Sequence, residues 1–271
     1  MFGISRQGFY QSISRSEVRS AELAKIKPLV QQVRMQMPRV GTRKLYYLLK
    51  DQFKTQGIKI GRDALFDYLR SESMLVRPKK NYAKTTNSKH WLRKYPNLMK
   101  DTKALHPEHY FVSDITYIKS RERTHYLSLV TDAYSRKIMG YHLSDDMAAE
   151  NVVKALKMAN KSRTTHNKLI HHSDRGLQYC SSIYQKELVR SNITPSMTDG
   201  YDCYQNAIAE RVNGILKNEF LIHKCNNGKE LNKLIKQSIE IYNNKRPHLS
   251  LNYKTPNFIH SKKPMKLTSS V

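Results

Sequence analysis

Residues 110–118 read YFVSDITYI, a run of aromatic, aliphatic and β-branched side chains broken by one carboxylate, Asp114. That composition predicts a strand over Tyr110–Lys119. Two further acids stand in comparable settings. Asp174 closes LIHHSD at 169–174, where a short apolar run meets the turn residues of DRG. Glu210 lies in QNAIAERVNGILKNEF at 205–220, whose apolar spacing is helical. Thirty-five residues separate Asp174 from Glu210. Two acids at strand ends and one on a later helix can converge on divalent cations. Oxygen-only ligands of this kind suit magnesium or manganese, and a pair of such ions serves in-line attack at phosphate.

Outward from that strand, the core reads as α/β. His125–Thr131 and Lys137–Leu143 extend Tyr110–Lys119 into a meander. Ala148–Asn160 is predicted as a helix, Leu169–His172 as a strand, Ser182–Ser191 as a helix and Ile193–Met197 as a strand. Helices over Asn206–Leu221 and Lys229–Tyr242 close the list. A hairpin sheet with crossover strands argues for a mixed sheet with helices on both faces. On the Glu210 helix, turning about 100° per residue, Asn206, Glu210, Asn213 and Lys217 fall along one polar face. Ile208, Val212 and Ile215 fall opposite. Glu210 can then hold a metal while Lys217, two turns on, reaches the adjacent phosphate. Taken alone, this stripe would be an ordinary amphipathic surface; the acids upstream turn the reading.

The amino-terminal part is different in kind. Lys27–Met37, Arg43–Lys54 and Arg62–Arg70 are predicted helices, with Thr42 as N-cap of the second after the Gly41 break. The opening MFGISRQGFYQSISRSE reads as a turn into a short helix, with Gly8, Phe9 and Tyr10 at the junction. Three short helices in a basic segment suggest a helix-turn-helix-like module. A basic arm follows, carrying Lys79, Lys80, Arg93 and Lys94 among the aromatics Tyr82, Trp91 and Tyr95. Cations there can follow a phosphate backbone while rings stack on bases; a solvated connector is the competing reading. The expected organisation is an N-terminal helical segment (1–24), the helix-turn-helix-like domain (25–76), the basic linker (77–104), the catalytic core (105–225) and its C-terminal helix and tail (226–271).

Charge supports a polyanion partner. Across 271 residues, 48 Lys and Arg oppose 22 Asp and Glu, a net +26, and residues 1–104 alone carry +16. Cys180, Cys203 and Cys225 form no close pair, as expected of thiols in a reducing compartment. No apolar run approaches the roughly 18 residues of a membrane span, so a cytoplasmic, DNA-associated protein is expected.

FVSDITYI (111–118), TDAYSRKIMGY (131–141), LIHHSDRGLQY (169–179), NAIAERVNGILKNE (206–219) and YNNKRPHLSLNYKTP (242–256) together resemble the retroviral-integrase-type catalytic core. More closely, the chain resembles the second-reading-frame transposases of bacterial insertion sequences. The resemblance implies an RNase H-like fold, with Asp114, Asp174 and Glu210 binding two Mg2+ (or Mn2+) ions. It also implies that Lys217 contacts terminal DNA, that His172, Arg175 and Gln178 shape or contact the site, and that Asn213 makes a polar contact beside Glu210. Tyr242, Asn243, Arg246, Pro247 and His248 match a tail signature whose role is mainly structural. Implied partners are the element's terminal inverted repeats, target DNA, further copies of the chain and an upstream-frame protein or fusion. The implied activity is cleavage at element ends and strand transfer by a DNA 3′-hydroxyl, through a circular intermediate. Phe111 stands where the family usually has Trp, and Gln205 where Asp often precedes Asn-Ala. An RNase H-like nuclease that cuts without joining, and a DNA-binding regulator without catalysis, are the rival expectations.

Overall fold

The computed structural model describes residues 5–77, 91–100, 102–199 and 206–262. The chain divides into two compact units, 1–79 and 80–271. The first is helical: α1 (Arg6–Ala24), α2 (Ile26–Gln36), α3 (Thr42–Thr55) and α4 (Arg62–Ser71). Its interior gathers Ile26 and Val30 of α2, Leu45, Leu49 and Phe53 of α3, and Leu65 and Leu69 of α4. The i, i+4 spacing of the leucines therefore marks the buried stripes as expected. Two local expectations fail. Gly8, Phe9 and Tyr10 lie inside α1, because Ser5 caps the helix early by accepting the Gly8 amide at 3.1 Å. Thr42 is the first residue of α3 and is buried; the N-cap is the extended Gly41, which offers no side-chain acceptor.

The second unit holds one five-stranded sheet, order β3-β2-β1-β4-β5, from β1 (Tyr110–Lys119), β2 (Thr124–Asp132), β3 (Ile138–Ser144), β4 (Leu169–Ser173) and β5 (Ile193–Met197). β1 pairs antiparallel with β2 and parallel with β4, and thus joins the meander to the crossover half. Helices α5 (Ala149–Lys161), α6 (Leu177–Cys180), α7 (Ser182–Arg190), α8 (Ala207–Ile215), α9 (Gly228–Asn244) and α10 (Pro256–Ser261) complete it. The helix expected over Asn206–Leu221 is not one α-helix. It opens into a π-helical turn at Leu216–Phe220, in which both Leu216 and Phe220 are buried.

Alternation along β1 sorts the two faces. Phe111 joins Val130, Met139, Leu156, Tyr184 and Leu188 in the cluster beneath α5 and α7, which also encloses Cys180. Tyr110 and Val112 turn the other way, toward Ala133 and Ala209 of α8. Gly140 on β3 lets α5 approach so closely that an added Cβ would stand 2.5 Å from the Ala159 amide nitrogen and against the Ala155 carbonyl. Both are backbone atoms, so the helix itself must shift. Gly140→Ala is expected to cost about 1–3 kcal/mol, read as a lower denaturant midpoint at unchanged slope.

A buried polar hub fastens the tail to the sheet. Glu108, fully buried in the left-handed region at φ 61°, accepts bonds from the amides and hydroxyls of Thr164 and Thr165 at 2.6–3.0 Å. Burial pushes its carboxyl up, but these bonds outweigh that and hold it low. Asp132 accepts the Glu108 amide at 2.6 Å and the Ser135 amide and hydroxyl at 2.7 and 2.6 Å. His260 of α10 reaches Ser135 Oγ at 3.0 Å. Arg136, in the turn after β2, donates to the Ala133 carbonyl.

Candidate active site

The β1–β4 register sets Val112 opposite His172; Asp114 lies two residues further along β1, and Asp174 just past the end of β4. Asp114 Oδ1 accepts the Ile115 amide at 2.9 Å, and Oδ2 accepts Asn213 Nδ2 at 2.7 Å. Asp174 follows β4 and accepts the Gly176 amide at 3.0 Å. A tight turn suits Gly176, because a Cβ there would stand 3.0 Å from the same carboxylate oxygen. Glu210, exposed in the first turn of α8, completes the group.

Electrostatics record the convergence. Burial, then the charge of Asp174 and more weakly that of Glu210, pushes the Asp114 carboxyl up to about 7, against the hydrogen bonds from Asn213 and Ile115. Glu210 is raised by burial and by the charge of Asp174. Among the described residues, no group of three His, Cys, Asp or Glu is gathered tightly enough to hold a metal ion. The three acids are thus near enough for charge to act between them, though they are not drawn together to ligand spacing. Lys217, half-buried in the π-helical turn, is lowered by burial, an effect countered by the charge of Asp114.

The other residues singled out from the sequence fall in several places. His172 is fully buried, with Nδ1 2.8 Å from Ser196 Oγ, and so lies in the interior instead of on a DNA-facing surface. Asn213, 4% exposed, is likewise interior and spends its amide on Asp114. Gln178 donates to the Met147 carbonyl at 3.1 Å, and Arg175 is half-buried beside Asp174 in sequence. Arg93 and Lys94 are exposed, Arg93 lying over the Tyr95 ring at 5.1 Å. Lys79 and Lys80 lie outside the described residues. His171 and His172 do point to opposite faces. Burial holds the His171 ring down at about 3, and its Nε2 stands 2.7 Å from Ser113 Oγ and 2.8 Å from the Tyr184 hydroxyl.

Three features escaped the sequence reading. Asn206 Nδ2 donates to the Ser113 carbonyl at 3.0 Å, docking the start of α8 on β1. Arg246 is buried against Glu219 through two bonds of 2.8 and 2.7 Å. His125 bridges Asp145 at 2.6 Å and Ser120 at 2.9 Å, beside a hollow of about 610 Å³ at the start of α9 that none of the three acids lines. Residue types alone do not reveal such pairings, since each partner is distant in sequence.

Fold and site together define an integrase-type core. Two integrase core domain models match, over residues 104–203 and 191–256. The chain also aligns with a chain from the structure of the simian T-cell lymphotropic virus intasome in complex with PP2A regulatory subunit B56 gamma, at TM-score 0.52 and 17% identity. That alignment covers 83% of this chain and 76% of that one. The 31 kDa protein of insertion element IS600 from Shigella sonnei is 36% identical over 94% of both chains. The InsF transposase of insertion sequence IS3A from Escherichia coli K12 is 33% identical over 60% of this chain and 57% of its own length. The chain belongs to the bacterial insertion-sequence transposases with an RNase H-like integrase core. Among the described residues, no helix is long and apolar enough to cross a membrane.

Proposed function

We propose that the chain cleaves DNA at the ends of its own insertion sequence and joins the freed 3′-hydroxyl to another strand, with Asp114, Asp174 and Glu210 as the catalytic acids. One observation carries this reading: the three carboxylates, from β1, the end of β4 and α8, lie close enough that the charge of Asp174 raises the proton affinity of both Asp114 and Glu210. The donor set is three hard oxygen ligands, which fits Mg2+ or Mn2+. A crowd of like charges with one member half-buried is also what a cation relieves. Asp114, Asp174 and Glu210 would hold two ions; when bound, these supply activation of the attacking hydroxyl and stabilisation of the leaving oxygen.

The residues around the acids divide the remaining work. Lys217, close enough to feel Asp114, places its ammonium where a DNA phosphate beside the acids would lie. Arg175 sits next to Asp174 and serves the same anion, while exposed Arg93 and Lys94 hold duplex further out. The helices of residues 25–76 form a helix-turn-helix-like DNA-binding domain, and the net charge of +26 supplies non-specific affinity. Joining two ends requires more than one copy of the chain on DNA, with or without an upstream-frame product.

The test is direct. The full chain is incubated with Mg2+ and DNA carrying its own element ends, with and without the upstream product, and nicked and joined strands are resolved on denaturing gels. Nicking followed by joining is the expected result. Cutting that never yields joined strands would reduce the protein to a nuclease, and undiminished cleavage by Asp174→Ala or Glu210→Ala would remove the acids from the reaction.

A further inference from the structure

Two asparagines of the polar stripe on α8 do not face solvent. Asn206, 5% exposed, donates to the Ser113 carbonyl at 3.0 Å, and Asn213, 4% exposed, donates to Asp114 Oδ2 at 2.7 Å. Seven residues, or about two turns, separate the two amides, and Glu210 lies between them on the same stripe. Their acceptors are neighbours on β1. The helix that carries one acid is therefore fastened at both ends of its first two turns to the strand that carries another, and one fastening is the carboxylate itself.

From this geometry we infer that Asn213 is a positioning residue for the reaction: with Asn206 it clamps α8 to β1, fixing the Asp114 carboxylate and the placement of Glu210 opposite it. The inference rests on the catalytic role given to the three acids. It assigns Asn213 no contact with DNA. Asp114 Oδ1 is already oriented by the Ile115 amide. The Asn213 bond fixes the second oxygen, so the carboxylate plane has no freedom to rotate, while a lone pair on each oxygen remains for a cation. A ligand held this way binds metal more tightly than one free to turn, because its orientation is set before binding.

The experiment measures divalent-ion affinity and DNA affinity separately in the full-length chain. Mn2+ binding is followed by loss of the free-ion paramagnetic resonance signal, and duplex binding by fluorescence anisotropy in chelator. Asn213→Ala and the similarly sized Asn213→Leu are both made, so that one folded variant suffices; circular dichroism checks the fold. The expected result is a fall of about 10–100-fold in Mn2+ affinity with duplex affinity in chelator unchanged. Asn206→Ala, which leaves the Asp114 bond in place, is expected to lose less. Unchanged Mn2+ affinity in the Asn213 variants, or a loss confined to duplex affinity, would overturn the positioning role. Failure of the unaltered chain to bind Mn2+ would overturn the three-acid reading itself, and this inference with it.

Discussion

Asp114→Asn should abolish Mg2+-dependent cleavage and, in chelator above neutral pH, make the protein more stable than the unaltered chain. The carboxyl titrates at about 7 when folded, against 3.8 as its ordinary value. Below the lower value both states carry the proton and its stabilising effect is whole. As pH rises toward the higher value, the unfolded chain releases the proton first, and folding loses free energy at about 1.4 kcal/mol per pH unit. Above about pH 7 the accumulated cost is a few kcal/mol and constant. Asparagine keeps the volume and removes the charge. Melting temperature should therefore fall between about pH 4 and 7 in the unaltered chain and fall less in Asp114→Asn. Added Mg2+ should restore the difference to the unaltered chain, because a ligand that binds only the folded state stabilises it. Cleavage should drop by about 10³-fold or more, the scale of losing several kcal/mol of metal-borne charge stabilisation. Identical pH profiles of melting for the two proteins would refute the half-buried, repelled state of this acid.

The largest effect on stability is expected at Arg246. Its guanidinium is 1% exposed and grips Glu219 with both arms, at 2.7 and 2.8 Å. Glu219 belongs to the π-helical turn, Arg246 to the segment after α9, so the pair joins the site-bearing helix to the tail. Arg246→Ala leaves a carboxylate only 16% exposed without its cation. Breaking a buried pair from one side costs about 3–5 kcal/mol, and chemical denaturation measures it. Arg246→Met together with Glu219→Leu should recover most of that loss, because two apolar side chains of similar volume leave no uncompensated charge. A double variant no better than the single would show that packing, and not charge, is what Arg246 supplies.

The legible parts of the sequence were those with local signals. YFVSDITYI, the meander after it and the helices at 149–161 and 182–190 announced themselves by composition and spacing, and the sheet followed from their order. The three acids stood out because carboxylates are rare in apolar strands. What escaped was set by tertiary partners. A stripe of Asn206, Glu210, Asn213 and Lys217 reads the same whether it meets water, phosphate or a neighbouring carboxylate, and Asn213 was read as a contact when it is an anchor. His172 beside Asp174 reads as a group that shapes or contacts the site, and nothing local foretells that Ser196, on another strand, holds its ring. The π-helical turn left no mark because Leu216 and Phe220 satisfy an α-helical period as well. Glu108 and His260 are 152 residues apart, and nothing local in either predicts their shared hub.

The histidine pair on β4 also safeguards against misalignment. Only one alignment of β4 against β1 lets His171 meet both Ser113 and Tyr184 while His172 meets Ser196. Slipping by a single position would invert every side chain on the strand, strand two imidazoles among apolar neighbours and turn Asp174 to the far side of the sheet. A chain mispaired in that way forfeits its interior and its chemistry at once. The two rings thus couple the position of the carboxylate to the integrity of the interior.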